Sequence, residues 1–204
     1  ASIAATGGGF TLALDKAQVD YGTSLTVLSL TASGPEIPFP EVKIGLSEFG
    51  FGIMMPASKS ETPQDFSFTT RFIDFTVSED IWGLVDPGVL LSRDPASFVF
   101  DVKGKGLWTQ DIMDPAIDLE QIETPGRIDS LDLSEVRVKA AGAEVAATGA
   151  LTFDNSQLNS FGGVPEPAGK IDVTIRGVHK LIDNLIALGF LPGEEAMGFR
   201  MMLG

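Results

Sequence analysis

Apolar side chains recur at every second position along much of this chain. Phe10, Leu12 and Leu14 skip over Thr11 and Ala13, and Phe66, Phe68, Thr70 and Phe72 occupy one side of a later segment. A period of two predicts half-buried strands. The same rhythm predicts strands over 18–21, 25–31, 42–55 and 97–109, where Phe98, Phe100 and Val102 face one way and Val99 and Asp101 the other. The clearest hairpin lies in 127–140 and 144–153, with Ala141-Gly142-Ala143 at its bend. Gly7-Gly8-Gly9 reads as a flexible opening, and 155–168, rich in Gly and Pro, as a polar connection.

The rhythm changes at Gly177. Ile171, Val173 and Ile175 alternate like a strand; Val178, Leu181, Ile182, Leu185 and Ile186 then follow helical spacing. A second terminal helix is predicted from Gly193 to about Leu203, with Glu194 and Glu195 at its positive end. Ser78 before Glu79, Asp80, Ile81 and Trp82 predicts an N-capped short helix, stopped by Asp86-Pro87-Gly88. Pro115 leaves room for only a short helix or turn in 111–119.

Strands at short spacing with turns between them predict a mainly β (α+β) fold: a curved antiparallel meander with two C-terminal helices packed on one face. The apolar phase slips by one residue at Ile73 and Phe75, and glycines interrupt Val42–Met55; both predict bulges and curvature. The chain is expected to form a single β-rich domain, 1–204.

Composition narrows the chemistry. The 204 residues contain no cysteine, which excludes disulfides, thiolate metal sites and a thiol nucleophile. A formal charge of −14 disfavours nucleic acid and anionic membrane surfaces as partners. No apolar run approaches a transmembrane length. The one histidine, His179, sits beside Lys180 and Asp183 on the polar side of its helix and reads as a solvated residue. Asp111, Asp114 and Asp118 cluster, as do Asp129, Asp132 and Glu135, without the spacing of a calcium loop. In a regular strand Asp132 and Glu135 would point to opposite faces. The segment "GKGLW" (104–108) lacks the pattern of a phosphate loop. No catalytic residue, cofactor site or metal site is assigned, and no enzyme activity is expected.

Fourteen Phe stand against one Tyr and two Trp. Phe has no polar handle and suits dry surfaces, either a sheet core or the lining of an apolar ligand site. The residues expected to form such a surface are Phe66, Phe68, Phe72, Trp82, Phe98, Phe100, Leu181 and Leu185.

The strings "IPFPEVKIGLSEFGFGIMMPASKSETPQDF" (37–66), "IWGLVDPGVLLSRDPASFVFDVKG" (81–104), "TGALTFDNSQLNSFGGVPEPAGKIDV" (148–173) and "LIALGFLPGEEAMGFRMMLG" (185–204) resemble the C-terminal half of a bacterial secreted family, a domain of unknown function. The order hairpin, polar loop, strand, helix from Val136 to Leu191 is similar to repeats of AsmA-like envelope proteins. The resemblance implies that the chain is a C-terminal fragment of a longer envelope protein, with a periplasmic or secreted location and a β-rich groove for lipid. It supplies no catalytic residue. It leads to the expectation of a non-enzymatic module binding lipid or another apolar ligand; the alternative is a structural or protein-interaction domain of the envelope, whose partner is another envelope protein.

Overall fold

The computed structural model describes the chain except residues 38, 119–121, 123, 157–164 and 204, and the side chain of Leu203. Eight strands form one open antiparallel sheet in strict chain order: β1 (Ser2–Leu14), β2 (Gln18–Ala32), β3 (Val42–Pro56), β4 (Gln64–Val77), β5 (Ala96–Trp108), β6 (Gly126–Ala140), β7 (Ala143–Asp154) and β8 (Glu166–Arg176). Helix α1 (Glu79–Val85) joins β4 to β5; α2 (Val178–Ala187) and α3 (Gly193–Leu203) follow β8. The mainly β meander expected from the alternating pattern is therefore present.

Two boundaries differ from expectation. Gly7, Gly8 and Gly9 lie inside β1, paired with Thr26, Leu25 and Ser24, so ladder hydrogen bonds override their intrinsic looseness. Strand β8 starts at Glu166, within the stretch read as a connection, because Phe153 and Asp154 pair with Pro167 and Glu166. The interval 111–118 forms turns, held by Asp114 Oδ1 accepting from the Ala116 amide. The rest of that ambiguous interval and most of 155–168 lie outside the described residues.

Curvature has a local source. Val27 and Asp74 adopt left-handed backbone angles (φ 48° and 54°), which are costly for non-glycine residues and worst for β-branched ones. They stand in one row across the sheet with Thr6 and Ser47, at the positions where the β1–β2, β2–β3 and β3–β4 ladders break off and resume. Ser47 Oγ donates to Asp74 Oδ2 at 3.3 Å, and the Asp74 amide donates to Ser97 Oγ at 3.0 Å. The apolar phase slips at this same row: Leu25 gives way to Leu28, Phe49 to Leu46 and Phe72 to Phe75. Reversing the pleat where the sequence slips keeps both apolar sets on one side. Strand β6 solves the same problem with a bulge: Leu133 pairs with Gly149 and Val136 with Ala147, so two residues, Ser134 and Glu135, oppose Thr148 alone.

That bulge corrects one expectation. Asp132 pairs with Lys103 and Glu135 with Asp101, so both carboxylates reach the same, polar face. There Arg71 Nη2 lies 2.8 Å from Asp101 and 3.9 Å from Glu135, and Arg137 Nε lies 3.0 Å from Glu135. The hydrogen bond to Asp101 raises the Arg71 pKa further, against a smaller opposing effect of burial. Val99, paired with both Arg71 and Arg137, is fully buried beneath this network; the apolar stems of the arginines shield it.

One end of the sheet is built up by non-strand structure. Asp86 has no exposed surface, and its carboxylate accepts from the amides of Leu90 (2.9 Å) and Leu91 (2.8 Å) and from Arg93 Nη1 (2.6 Å). Burial pushes the Asp86 pKa up, but these donors outweigh it and hold the carboxyl below its ordinary value. The Arg93 guanidinium lies 4.5 Å above the Trp82 ring, a cation–π contact. Ser78 gives α1 no side-chain cap; its Oγ accepts instead from the Lys43 amide, tying α1 to β3.

Helix α2 reaches the same end. Gly177 (φ 69°) turns the chain out of β8, and a Cβ there would fall on the carbonyl oxygen of Gly142 in the β6–β7 turn. Ile182 is buried, and Asn184 Nδ2 donates to the Leu90 carbonyl at 2.6 Å. Gly189 (φ 77°) ends α2 with the paired bonds of a Schellman motif, Phe190 N to Leu185 O and Gly189 N to Ile186 O. The sheet contact of α2 is made mainly with β7, and β8 stays exposed along its whole length.

Gly177→Ala combines a strained φ with the Gly142 clash, and it should lower unfolding free energy by about 2 kcal/mol or more. Gly193→Ala, where a Cβ meets nothing, should stay within about 0.5 kcal/mol of the parent; urea denaturation of both variants checks the contrast. A carboxylate whose folded pKa is depressed stabilises the fold above its unfolded pKa, roughly 3.9, and that contribution is lost as pH falls through the folded value. Asp86 and Asp154, which is lowered by hydrogen bonds from Ser156, both belong to this class. Thermal unfolding should therefore show Tm falling from about pH 5 downward, with a visibly shallower fall in Asp86→Asn.

Candidate functional site

The strand register places nearly all the large apolar residues of the sheet on one face. From β1 to β4 the pairings run Leu12 to Tyr21, Tyr21 to Ile53, Ile53 to Phe68; from β4 to β7 they run Phe68 to Val102, Val102 to Leu133, Leu133 to Gly149. A neighbouring row runs Phe72, Phe98, Val138, Val145, Ile175. The opposite face carries Asp20, Thr69, Arg71, Asp101, Lys103, Glu135, Arg137 and Lys170. One side of the sheet is thus dry in composition across all eight strands, and the other is charged.

Aromatic rings link five of these strands. Phe10 meets Tyr21 with centroids 5.5 Å apart; Tyr21 meets Phe51 at 5.9 Å, Phe51 meets Phe68 at 5.5 Å and Phe68 meets Phe100 at 5.8 Å. Phe49 and Phe72 add a second contact at 5.1 Å. The geometries are tilted or edge-on, the arrangements ring quadrupoles favour. The ladder sets a continuous apolar floor rather than a packed two-layer core.

Among the described residues, no second layer covers this floor. The chain exposes 12845 Å², whereas a compact monomer of 21.6 kDa would expose roughly 9,200 Å². Along β1, Phe10, Leu12 and Leu14 are 64%, 60% and 57% exposed, and in mid-sheet Phe72 and Phe98 are still about 40% exposed. Exposed apolar surface of this extent marks a binding or interaction surface.

The floor is concave. Ile53 and Met55 of β3 and Phe153 of β7 line one cleft of about 710 Å³. Strands four steps apart in a flat sheet would stand roughly 19 Å from each other, so the sheet bends around its apolar side. The cleft lies at the end of the trough opposite α1 and α2. Its walls include Phe66, Phe68, Leu107, Trp108, Ile128 and Pro125. Trp108 is fixed by donating Nε1–H to the Pro56 carbonyl at 2.8 Å, and its ring lies so close to Gly126 that a Cβ there would come within 2.8 Å.

Comparison with protein-family models, with curated proteins and with solved structures finds no match. The chemistry of the trough therefore rests on its own residues.

Of the residues expected to form the apolar surface, Phe66, Phe68, Phe72, Phe98 and Phe100 share the concave face of β4 and β5. Leu181 and Leu185 are half-buried on α2, near the β6–β7 turn and far from Phe66. Trp82 belongs to α1 and packs under Arg93, apart from the sheet face. Sequence reasoning missed Trp108, Leu107, Ile128, Phe153 and Arg127. The alternation of Phe153 with Leu151 was a usable signal; the convergence of Trp108 and Ile128 depends on strand pairing and had none. His179 is exposed, as its place beside charged neighbours implied. Among the described residues, no three His, Cys, Asp or Glu side chains group as metal ligands.

Phe68 sits in the middle of the ladder yet is only half-buried. Phe68→Ala should cost about 1–2 kcal/mol, below the 3–5 kcal/mol of an enclosed Phe, and should weaken the fluorescence of 1-anilinonaphthalene-8-sulfonate bound to native protein. Urea titration and dye binding measure the two effects; a full core-sized loss would mean that the floor is covered.

Proposed function

We propose that this protein is a non-enzymatic module of the bacterial envelope, periplasmic or secreted, that holds a lipid acyl chain or another apolar ligand in its trough. The observation that carries the reading is the uncovered apolar face, continuous over eight strands and concave at the Trp108 end. Each methylene laid on that floor is stabilised by about 0.8 kcal/mol when it leaves water. The wall is rich in Phe, Ile, Leu and Met and poor in hydrogen-bonding groups, which suits a featureless chain better than a polar substrate. The build-up of α1, Asp86–Arg93 and α2 makes that end a stop and, among the described residues, leaves the Trp108 end as the entrance. The similarity of Val136–Leu191 to AsmA-like repeats points the same way, and kinship with such envelope proteins is part of the proposal.

A second reading, a structural or protein-interaction domain, is favoured by one feature. Strand β1 is exposed along all of its length and carries no charge and no proline, the devices that usually protect a free sheet edge. Native mass spectrometry of gently purified protein separates the two. The lipid reading expects adducts of lipid mass and uptake of lipid from vesicles by stripped protein. A clean polypeptide mass that takes up nothing, together with in-cell crosslinks to a protein, would transfer support to the second reading.

A further inference from the structure

We infer that β1 pairs edge to edge with β1 of a second copy of this chain, across a two-fold axis, and joins two apolar floors into one. The inference goes beyond the contents of the trough and stands whether or not the trough holds lipid. An edge strand leaves every second N–H and C=O group facing outward. In β1 these groups have no partner strand among the described residues, since β1 pairs with β2 alone. The strand is exposed from end to end and holds neither charge nor proline.

Three observations select a second copy as the occupant. The net charge of −14 falls wholly on residues beyond Leu14, so β1 is where two like-charged molecules approach with least repulsion. The opposite edge is guarded: β8 carries Lys170, Asp172 and Arg176 on one face, and Pro167 near its start. That disfavours a head-to-tail contact of β1 with β8, which would propagate, and favours a closed two-fold contact. Finally, β1 is complementary to itself. Residues opposed in an antiparallel pair share a face of the sheet, and Phe10 and Leu12 share the apolar face with their partners Thr23 and Tyr21. A pairing centred on Phe10 sets Phe10 against its own copy, Leu12 against Gly8, Ala13 against Gly7 and Leu14 against Thr6. It is the longest self-pairing that keeps the faces matched, because the β1–β2 ladder breaks at Thr6 and the pleat reverses beyond it. Phe10 and Leu12, 64% and 60% exposed in the single chain, then gain a neighbouring strand on their open side.

Sedimentation equilibrium of the full chain over an about hundred-fold range of concentration tests the contact. The expected mass rises to twice 21.6 kDa and stops there. Phe10→Asp and Phe10→Lys each place like charges opposite one another at the two-fold axis, and each should weaken dimerisation about ten-fold or more; their equimolar mixture should restore it. Val173→Asp, at an exposed position of β8, should dimerise like the parent. A second readout avoids charged variants. The chain has no cysteine, so Phe10→Cys should give an intermolecular disulfide on mild oxidation, because directly opposed strand residues stand within disulfide reach, and Val173→Cys should not. A single-chain mass at every concentration overturns the inference. So does growth beyond two chains, which would mean head-to-tail pairing, and so does a dimer that Phe10→Asp leaves unchanged. Should Phe10→Asp fail to fold, absence of the Phe10→Cys disulfide overturns the inference on its own. Lipid uptake by the monomeric variants reads the trough separately from the contact.

Discussion

The described structure follows from an apolar sheet face that no layer among the described residues covers. A sheet with one apolar face usually meets helices or a second sheet. Here eight strands carry their large apolar residues to one face, and the two terminal helices gather at one end instead of spreading over it. Curvature brings that face partly onto itself, and the ring-to-ring ladder from Phe10 to Phe100 gives it cohesion. The remaining exposed apolar area is the unsatisfied demand that a ligand or partner would meet. Charge on the other face, with Arg71, Asp101, Glu135 and Arg137 in one network, fixes which side meets water.

The strand count and order were legible because they depend on a period of two, which Phe66–Phe72, Phe98–Val102 and the 127–153 hairpin display plainly. The slip at Ile73 and Phe75 also announced a backbone irregularity, and Asp74 supplies it. What stayed hidden is non-local. Nothing near Val27 signals a left-handed residue, since its angle is imposed by the row it shares with Ser47 and Asp74. Asp132 and Glu135 looked opposed because a regular strand was assumed; the bulge at Ser134 turns them to the same face. Trp108 and Ile128 line one cleft with Phe153 only once β5, β6 and β7 pair.

The apolar residues expected to act together divide into three settings. Phe66, Phe68, Phe72, Phe98 and Phe100 form the floor. Leu181 and Leu185 lie half-buried on α2, away from the floor, and Trp82 serves the buried Asp86–Arg93 pair. Helical spacing shows that a face is apolar but not which neighbour it meets; here the left-handed Gly177 aims α2 at the end of the sheet.

The row of Thr6, Val27, Ser47 and Asp74 gives the trough a crease. A stiff, fused-ring molecule laid lengthwise across it would have to lift off one side of the crease to touch the other. A saturated hydrocarbon tail, free to rotate about each carbon–carbon bond, can follow the crease while keeping contact throughout. On the proposed acyl-chain reading, the left-handed angle at a valine would act as a shape filter, admitting pliable cargo over rigid cargo.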